Sequence, residues 1–163
     1  MKRRALLASL GAGTAALSGC SDLIRVGRAD PTETGRWHVG ERPELSFRVS
    51  PDPVTLEETL TYEVTNGGDE AVTLGCNVPW DLQRADGGDW ERVAWTGGRY
   101  YQLCAFQLQP GGTHEESITL TEAALVEQTS GGESALEPGR YRLVLVGPPG
   151  PKPAVEFELH AAE

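Results

Sequence analysis

Three histidines and three cysteines are the residues of this 163-residue chain best suited to chemistry, and their spacing limits what they could do. His38, His114 and Cys104 could offer two imidazoles and a thiolate to copper, the ligand set of a blue-copper centre. The short Cys-to-His step of such a centre is missing, the only methionine is Met1, and His114 follows a turn, "PGGT". His160 stands apart from both. Asp86, Asp89 and Glu91 in "DGGDWE" lack the spaced oxygen ligands and closing glutamate of a calcium loop, and they read as solvated acids around a hairpin turn. Glu57-Glu58 and Glu115-Glu116 are sequence neighbours, and neighbours on a strand point to opposite faces, so neither pair can share a substrate atom. The serines of "TSGGES" have no base at motif spacing. No catalytic residue, metal ligand or cofactor is assigned, and a non-enzymatic chain is expected.

Aromatic residues are more suggestive. Trp80, Trp90, Trp95, Tyr100, Tyr101 and Phe106 fall within 27 residues, and three of the four tryptophans are among them. On a shared exposed face, Trp80, Trp90, Trp95, Tyr100 and Tyr101 would form a binding surface for a sugar ring or a protein partner. Spacing favours the other reading, in which the rings fill a core. Trp80 and Trp90 belong to different strands, and Trp90 and Trp95 differ by an odd number of residues.

Location comes from the N-terminus. Lys2, Arg3 and Arg4 precede a thirteen-residue apolar run, Ala5 to Leu17, which fits a secretory signal and is too short for a membrane-spanning helix. The run ends in Leu17-Ser18-Gly19-Cys20, which resembles a lipobox, so Cys20 is expected to carry a lipid and to hold the chain on the extracytoplasmic face of a cell membrane. Arg3-Arg4 partly resembles a twin-arginine export signal. Residues 20–35 lack periodicity and read as the lipidated end and a flexible tether of about 20 Å. Beyond the leader, the chain keeps 11 of its 14 basic and all 24 acidic residues, a net charge of −13, with Lys152 its only lysine. Such a surface cannot neutralise phosphates, which excludes nucleic acid. Its acidity and its arginine in place of lysine resemble proteins of extremely halophilic archaea.

Those positions need a scaffold, and from residue 36 onward the period is two. Leu45, Phe47 and Val49 alternate with polar residues, as do Leu60, Tyr62 and Val64, and these belong to a series of about nine short runs rich in Val, Leu, Thr and aromatics. Five Gly-Gly doublets lie between runs as turns. "TEAALVEQ", residues 121–128, is the one helical stretch, and "GPPGPKP" is a loop before the last strand. The expected fold is all-β, an antiparallel sandwich of seven to nine strands over residues 36–163.

"LEPGRYRLVLV", with Leu136, Pro138, Gly139 and Tyr141, resembles the loop entering a late strand of fibronectin-type and immunoglobulin-like domains, where the tyrosine hydroxyl bonds back to the loop backbone. With "TYEVTNGGDEAVTLG", "WDLQRADGGDWERV" and "LQPGGTHEESITL", the order over residues 54–160 resembles bacterial immunoglobulin-like modules of secreted proteins and lipoproteins. It is distantly similar to the domain of intracellular proteinase inhibitors of bacilli. The resemblance implies adhesion, spacing or binding toward a protein or polysaccharide partner, or protease inhibition, and it brings no catalytic residues. A third role, accessory subunit of a metal or redox system, would need Cys104 beside a histidine. Cys20 aside, Cys76 and Cys104 make an even pair, read either as a disulfide or as two buried thiols.

Overall fold

The computed structural model describes residues 37–96, 105–129 and 135–162. The expected signal peptide, the lipidated Cys20, the tether, Tyr100, Tyr101 and Cys104 lie outside the described residues.

Among the described residues, ten strands and one helix follow in chain order: β1 Leu45–Ser50, β2 Val54–Thr55, β3 Thr59–Asn66, β4 Val72–Gly75, β5 Trp80–Asp86, β6 Asp89–Trp95, β7 Phe106–Leu108, β8 Thr113–Thr119, α1 Glu122–Gln128, β9 Gly139–Leu145 and β10 Ala154–His160. The two-residue β2 and the three-residue β7 bring the number above the expected seven to nine. Strands β1-β3-β8 form one sheet, β2-β10-β9-β5-β6 a second, and β4-β7 a short pair. Pairing is antiparallel except where β2 runs parallel to β10.

Alternation explains the first sheet. Leu60, Tyr62 and Val64 of β3 and Ile118 of β8 are buried on one face. The other face joins Thr61 to Ser117 at 3.0 Å and Thr65 to Thr113 at 3.1 Å, hydroxyl pairs set opposite each other by the register. The central strands of the second sheet alternate less, because β5 and β9 are covered on both faces. Trp80, Leu82, Tyr141, Leu143 and Leu145 enter the core between the sheets. Asp81, Gln83 and Val144 are also fully buried, on the opposite face. The expected helix is present, its first turn capped by Thr121 Oγ1, which accepts from Ala124 N–H at 3.1 Å, and Leu125 packs inward.

Two local devices fix how the chain closes. Tyr141 is fully buried, and its hydroxyl donates to Glu137 O at 2.7 Å and accepts from Glu137 N–H at 3.2 Å, as the resemblance implied. Burial pushes the Tyr141 phenol up, so it stays a donor. Gly147 follows β9 so close to β4 that a Cβ on it would stand 1.7 Å from Leu74 O. Only glycine fits there. Asn66 ties the first sheet to its neighbours: its Nδ2 donates to Glu70 O and Leu108 O at 2.8 and 2.9 Å, and its Oδ1 accepts from Gly68 N–H at 3.0 Å.

Tyr141→Phe keeps the ring and removes both bonds to Glu137, leaving a carbonyl and an amide unsatisfied. Urea denaturation is expected to show a loss of about 1–2 kcal/mol. Unchanged stability would contradict this role of the hydroxyl.

Candidate functional site

Chemistry-bearing side chains gather on the outer face of the five-stranded sheet. Register puts Asp81 opposite Trp95, Gln83 opposite Arg92 and Ala85 opposite Trp90 on the β5–β6 pair, with an irregularity after Leu82. Leu82 pairs with Ala94 and Gln83 with Arg92, so Val93 is an extra residue on β6. This β-bulge inverts the side-chain parity beyond it. Trp90, Arg92 and Trp95 therefore share one face despite their odd spacing. The separation of Trp90 from Trp95 expected from parity is corrected on this ground, and so is their placement in the inter-sheet core. Trp80 does belong to the core, 1% exposed, and cannot join a surface with them.

Asp81 organises the face. Its side chain is fully buried, and its Oδ2 accepts from Trp37 Nε1 at 2.5 Å, Arg92 Nη2 at 2.9 Å, Gln83 Nε2 at 3.0 Å and Arg92 Nε at 3.1 Å. A carboxylate removed from water needs such company. Asp81 Oδ1 and Trp95 Nε1, an acceptor and a donor on directly paired residues, have no hydrogen-bond partner among the described residues. The Arg92 guanidinium lies 4.6 Å from the Trp95 ring centre, and the Trp37 and Trp95 rings meet at 6.2 Å. Farther along, Arg142 Nε donates to Gln83 Oε1 at 2.7 Å, and its guanidinium stands 4.4 Å from the Trp90 ring centre. Burial pulls the Arg142 guanidinium below its ordinary value, against the attraction of Asp81 and Glu156. Sequence reasoning singled out neither Asp81 and its donors Gln83 and Arg92 nor Trp37. Trp37 stands just beyond the stretch read as tether, and nothing local marks its indole as a partner of Asp81.

The other candidates are dispersed. His38 lies in the segment beside Lys152, whose N–H donates to His38 O at 2.8 Å. His114 packs between the rings of Tyr62 and Phe106, its Nε2 3.8 Å from Glu116 Oε2. Tyr62 donates to that same Oε2 at 2.5 Å, and burial followed by Glu116 pushes its phenol far up. His160 ends β10. No group of three or more His, Cys, Asp or Glu side chains converges among the described residues. Asp86 and Asp89 flank the Gly87-Gly88 turn and face each other in the β5–β6 register. Glu115 points outward while Glu116 turns to Tyr62. Cys76 is 6% exposed, and its sulfur is engaged rather than free.

Residues 41–145 match the sequence family described as a bacterial Ig-like domain. No curated protein matches the chain. Among solved structures it is similar to a β-glucosidase from Listeria innocua in complex with gluconolactone, at 20% identity over 76% of this chain and 17% of that one, with a TM-score of 0.36. The archaellum periplasmic stator protein FlaG from Sulfolobus acidocaldarius is similar at 18% identity, over 69% of this chain and 99% of that one, at 0.37. The sporulation control protein Spo0M from Bacillus subtilis is similar at 15% identity, over 74% and 49%, also at 0.37. The chain thus spans about one sixth of the glucosidase, and likenesses of this strength say nothing of ligand or activity.

Asp81→Ala is expected to leave the Trp37, Gln83 and Arg92 donors facing a void and to cost about 3–5 kcal/mol in urea denaturation. The lost contact with Trp37 should also move tryptophan emission to the red. Stability within about 0.5 kcal/mol of the parent, the range of an unremarkable surface change, would contradict the role given to Asp81.

Proposed function

Because the chain belongs to the bacterial Ig-like domain family, we propose that it is a non-enzymatic binding module held on the outer face of a cell membrane by a lipid on Cys20. Leu17-Ser18-Gly19-Cys20 behind a basic, short apolar leader is the observation that carries the anchor. Among the described residues no helix is long and apolar enough to cross a membrane. The acidity of the chain beyond its leader suits a high-salt exterior, where screening shortens charge repulsion to roughly 3 Å.

A protein partner is favoured over a polysaccharide. The Trp90 and Trp95 rings, the natural stacking platforms, each already carry a guanidinium group over one face. In an oxidising exterior Cys76 pairs with Cys104, closing a 28-residue step for about 3–4 kcal/mol in the chain-entropy account.

Mass spectrometry of the protein isolated from its own cells tests both covalent assignments. The expected result is loss of residues 1–19, a lipid thioether on Cys20, and a Cys76–Cys104 peptide pair without reduction. An unlipidated chain that retains Met1, with two alkylatable thiols at Cys76 and Cys104, would overturn the reading.

A further inference from the structure

Among the described residues, backbone hydrogen-bond directions identify two unpaired strand edges beside one groove. Asn66 N–H donates to Gly112 O, and Gly111 N–H donates to Asn66 O, so the Asn66 backbone turns toward β8. By the two-residue alternation of a ladder, Thr61, Glu63 and Thr65 turn toward β1, where they meet Ser50, Arg48 and Ser46. Phe47 and Val49 therefore aim their N–H and C=O groups away from the sheet. On β10 the same argument starts from Leu145 N–H, which donates to Pro153 O at 3.0 Å. Residues 153, 155 and 157 turn to β9, and Ala154 and Glu156 aim outward.

Among the described residues, that outward side of β10 is covered only at its ends. Val39 bridges Lys152 at one end, and β2 pairs Val54 with Leu159 at the other. Glu158 N–H is taken by Asp52 Oδ1 at 3.2 Å. In between, the chain leaves this sheet to form β1 in the other one, and along about 15 Å of β10 edge no described strand pairs with it. A groove of about 440 Å³ lies there, lined by Val39, Leu45, Phe47 and Ala154 together with the charged Glu41 and Arg42.

We propose that this groove takes an extended, cationic peptide segment of a partner protein, which adds as a strand to the free edge of β10. The proposal rests on the binding-module reading and names its partner class. Successive side chains of an added strand alternate between faces. One set would lie inward beside Val155 and Phe157 and against Phe47. The other would stand outside, beside Glu156 and Glu158 of β10. Glu156 already pairs with Arg140, and Glu158 is exposed, in a chain of net charge −10. A second copy would set the same glutamates against each other, which like-charge opposition disfavours. A strand with lysine or arginine at alternate positions gains where a second copy loses.

The test uses the full chain, labelled with nitrogen-15, and an eight-residue synthetic peptide of alternating valine and lysine. Saturable shifts of the Ala154 and Glu156 amide signals are expected. Binding should weaken about tenfold when glutamate replaces lysine, and again when alternate peptide amides are N-methylated. Ala154→Pro removes an outward N–H and leaves the β9 ladder intact, so it should weaken binding about tenfold in a chain whose spectrum remains dispersed. No saturable shift at millimolar peptide would overturn the proposal. So would equal binding of the N-methylated peptide, or edge shifts that grow with protein concentration alone, the mark of self-association. Such a failure leaves the anchored module standing, because the lipid on Cys20 is read independently.

Discussion

A buried carboxylate sets the terms for one whole side of this protein. Asp81 is out of contact with water, and its Oδ2 draws a donor from each of three places: Trp37 ahead of the first strand, Gln83 on its own strand, and Arg92 on the next. Each donor has a structural requirement. Arg92 can face Asp81 only if β6 takes the bulge at Val93, and the bulge brings Trp95 around with it. Trp37 can reach Asp81 only if the segment leading to β1 lies against the second sheet, where the parallel Val39–Lys152 bridge also holds it. Isolated ion pairs on a surface contribute little, but a desolvated carboxylate missing a partner is costly, so these features stand or fall together.

The consequence is that the outer faces of the two sheets differ in kind. The three-stranded sheet presents a ladder of threonine and serine hydroxyls, paired with each other and open to solvent. On the five-stranded sheet, indole and guanidinium groups stack into a second layer over Asp81 and Gln83. Strand edges are what remain. A sandwich normally guards its edges with charge, proline or short strands. Here Pro153 stands just ahead of β10 and glutamates sit on it, and the chain crosses from one sheet to the other at that point, leaving backbone donors and acceptors beside a groove.

Much of the fold is legible in the sequence because it depends on local alternation. Leu60-Tyr62-Val64 against Thr61-Glu63-Thr65 gives both the strand and its buried face. The Gly87-Gly88 turn, the capped helix after Thr121 and the Tyr141 hydroxyl likewise follow from short patterns. The site is less legible because its geometry breaks the pattern. One inserted residue at Val93 reverses the side-chain parity of β6, so an argument from odd spacing assigns Trp90 and Trp95 to opposite faces. The adjacent apolar Val93-Ala94 within an alternating strand is the only local sign of the bulge, and both are fully buried. Alternation sets Asp81 and Gln83 on the face opposite Trp80 and Leu82, but it tells which face a residue takes, not what covers that face. Their cover includes Trp37, 44 positions from Asp81 in the chain.

Hydrogen exchange of the Trp37 indole N–H, followed by nitrogen-15 NMR, probes this organisation at its most distant contact. If Asp81 holds the segment ahead of β1 to the sheet, that proton is protected and exchanges only as slowly as the core amides of β5. Exchange at the rate of a free indole would contradict the account, because the carboxylate would then lack one of its three sources of donors and the leading segment its attachment.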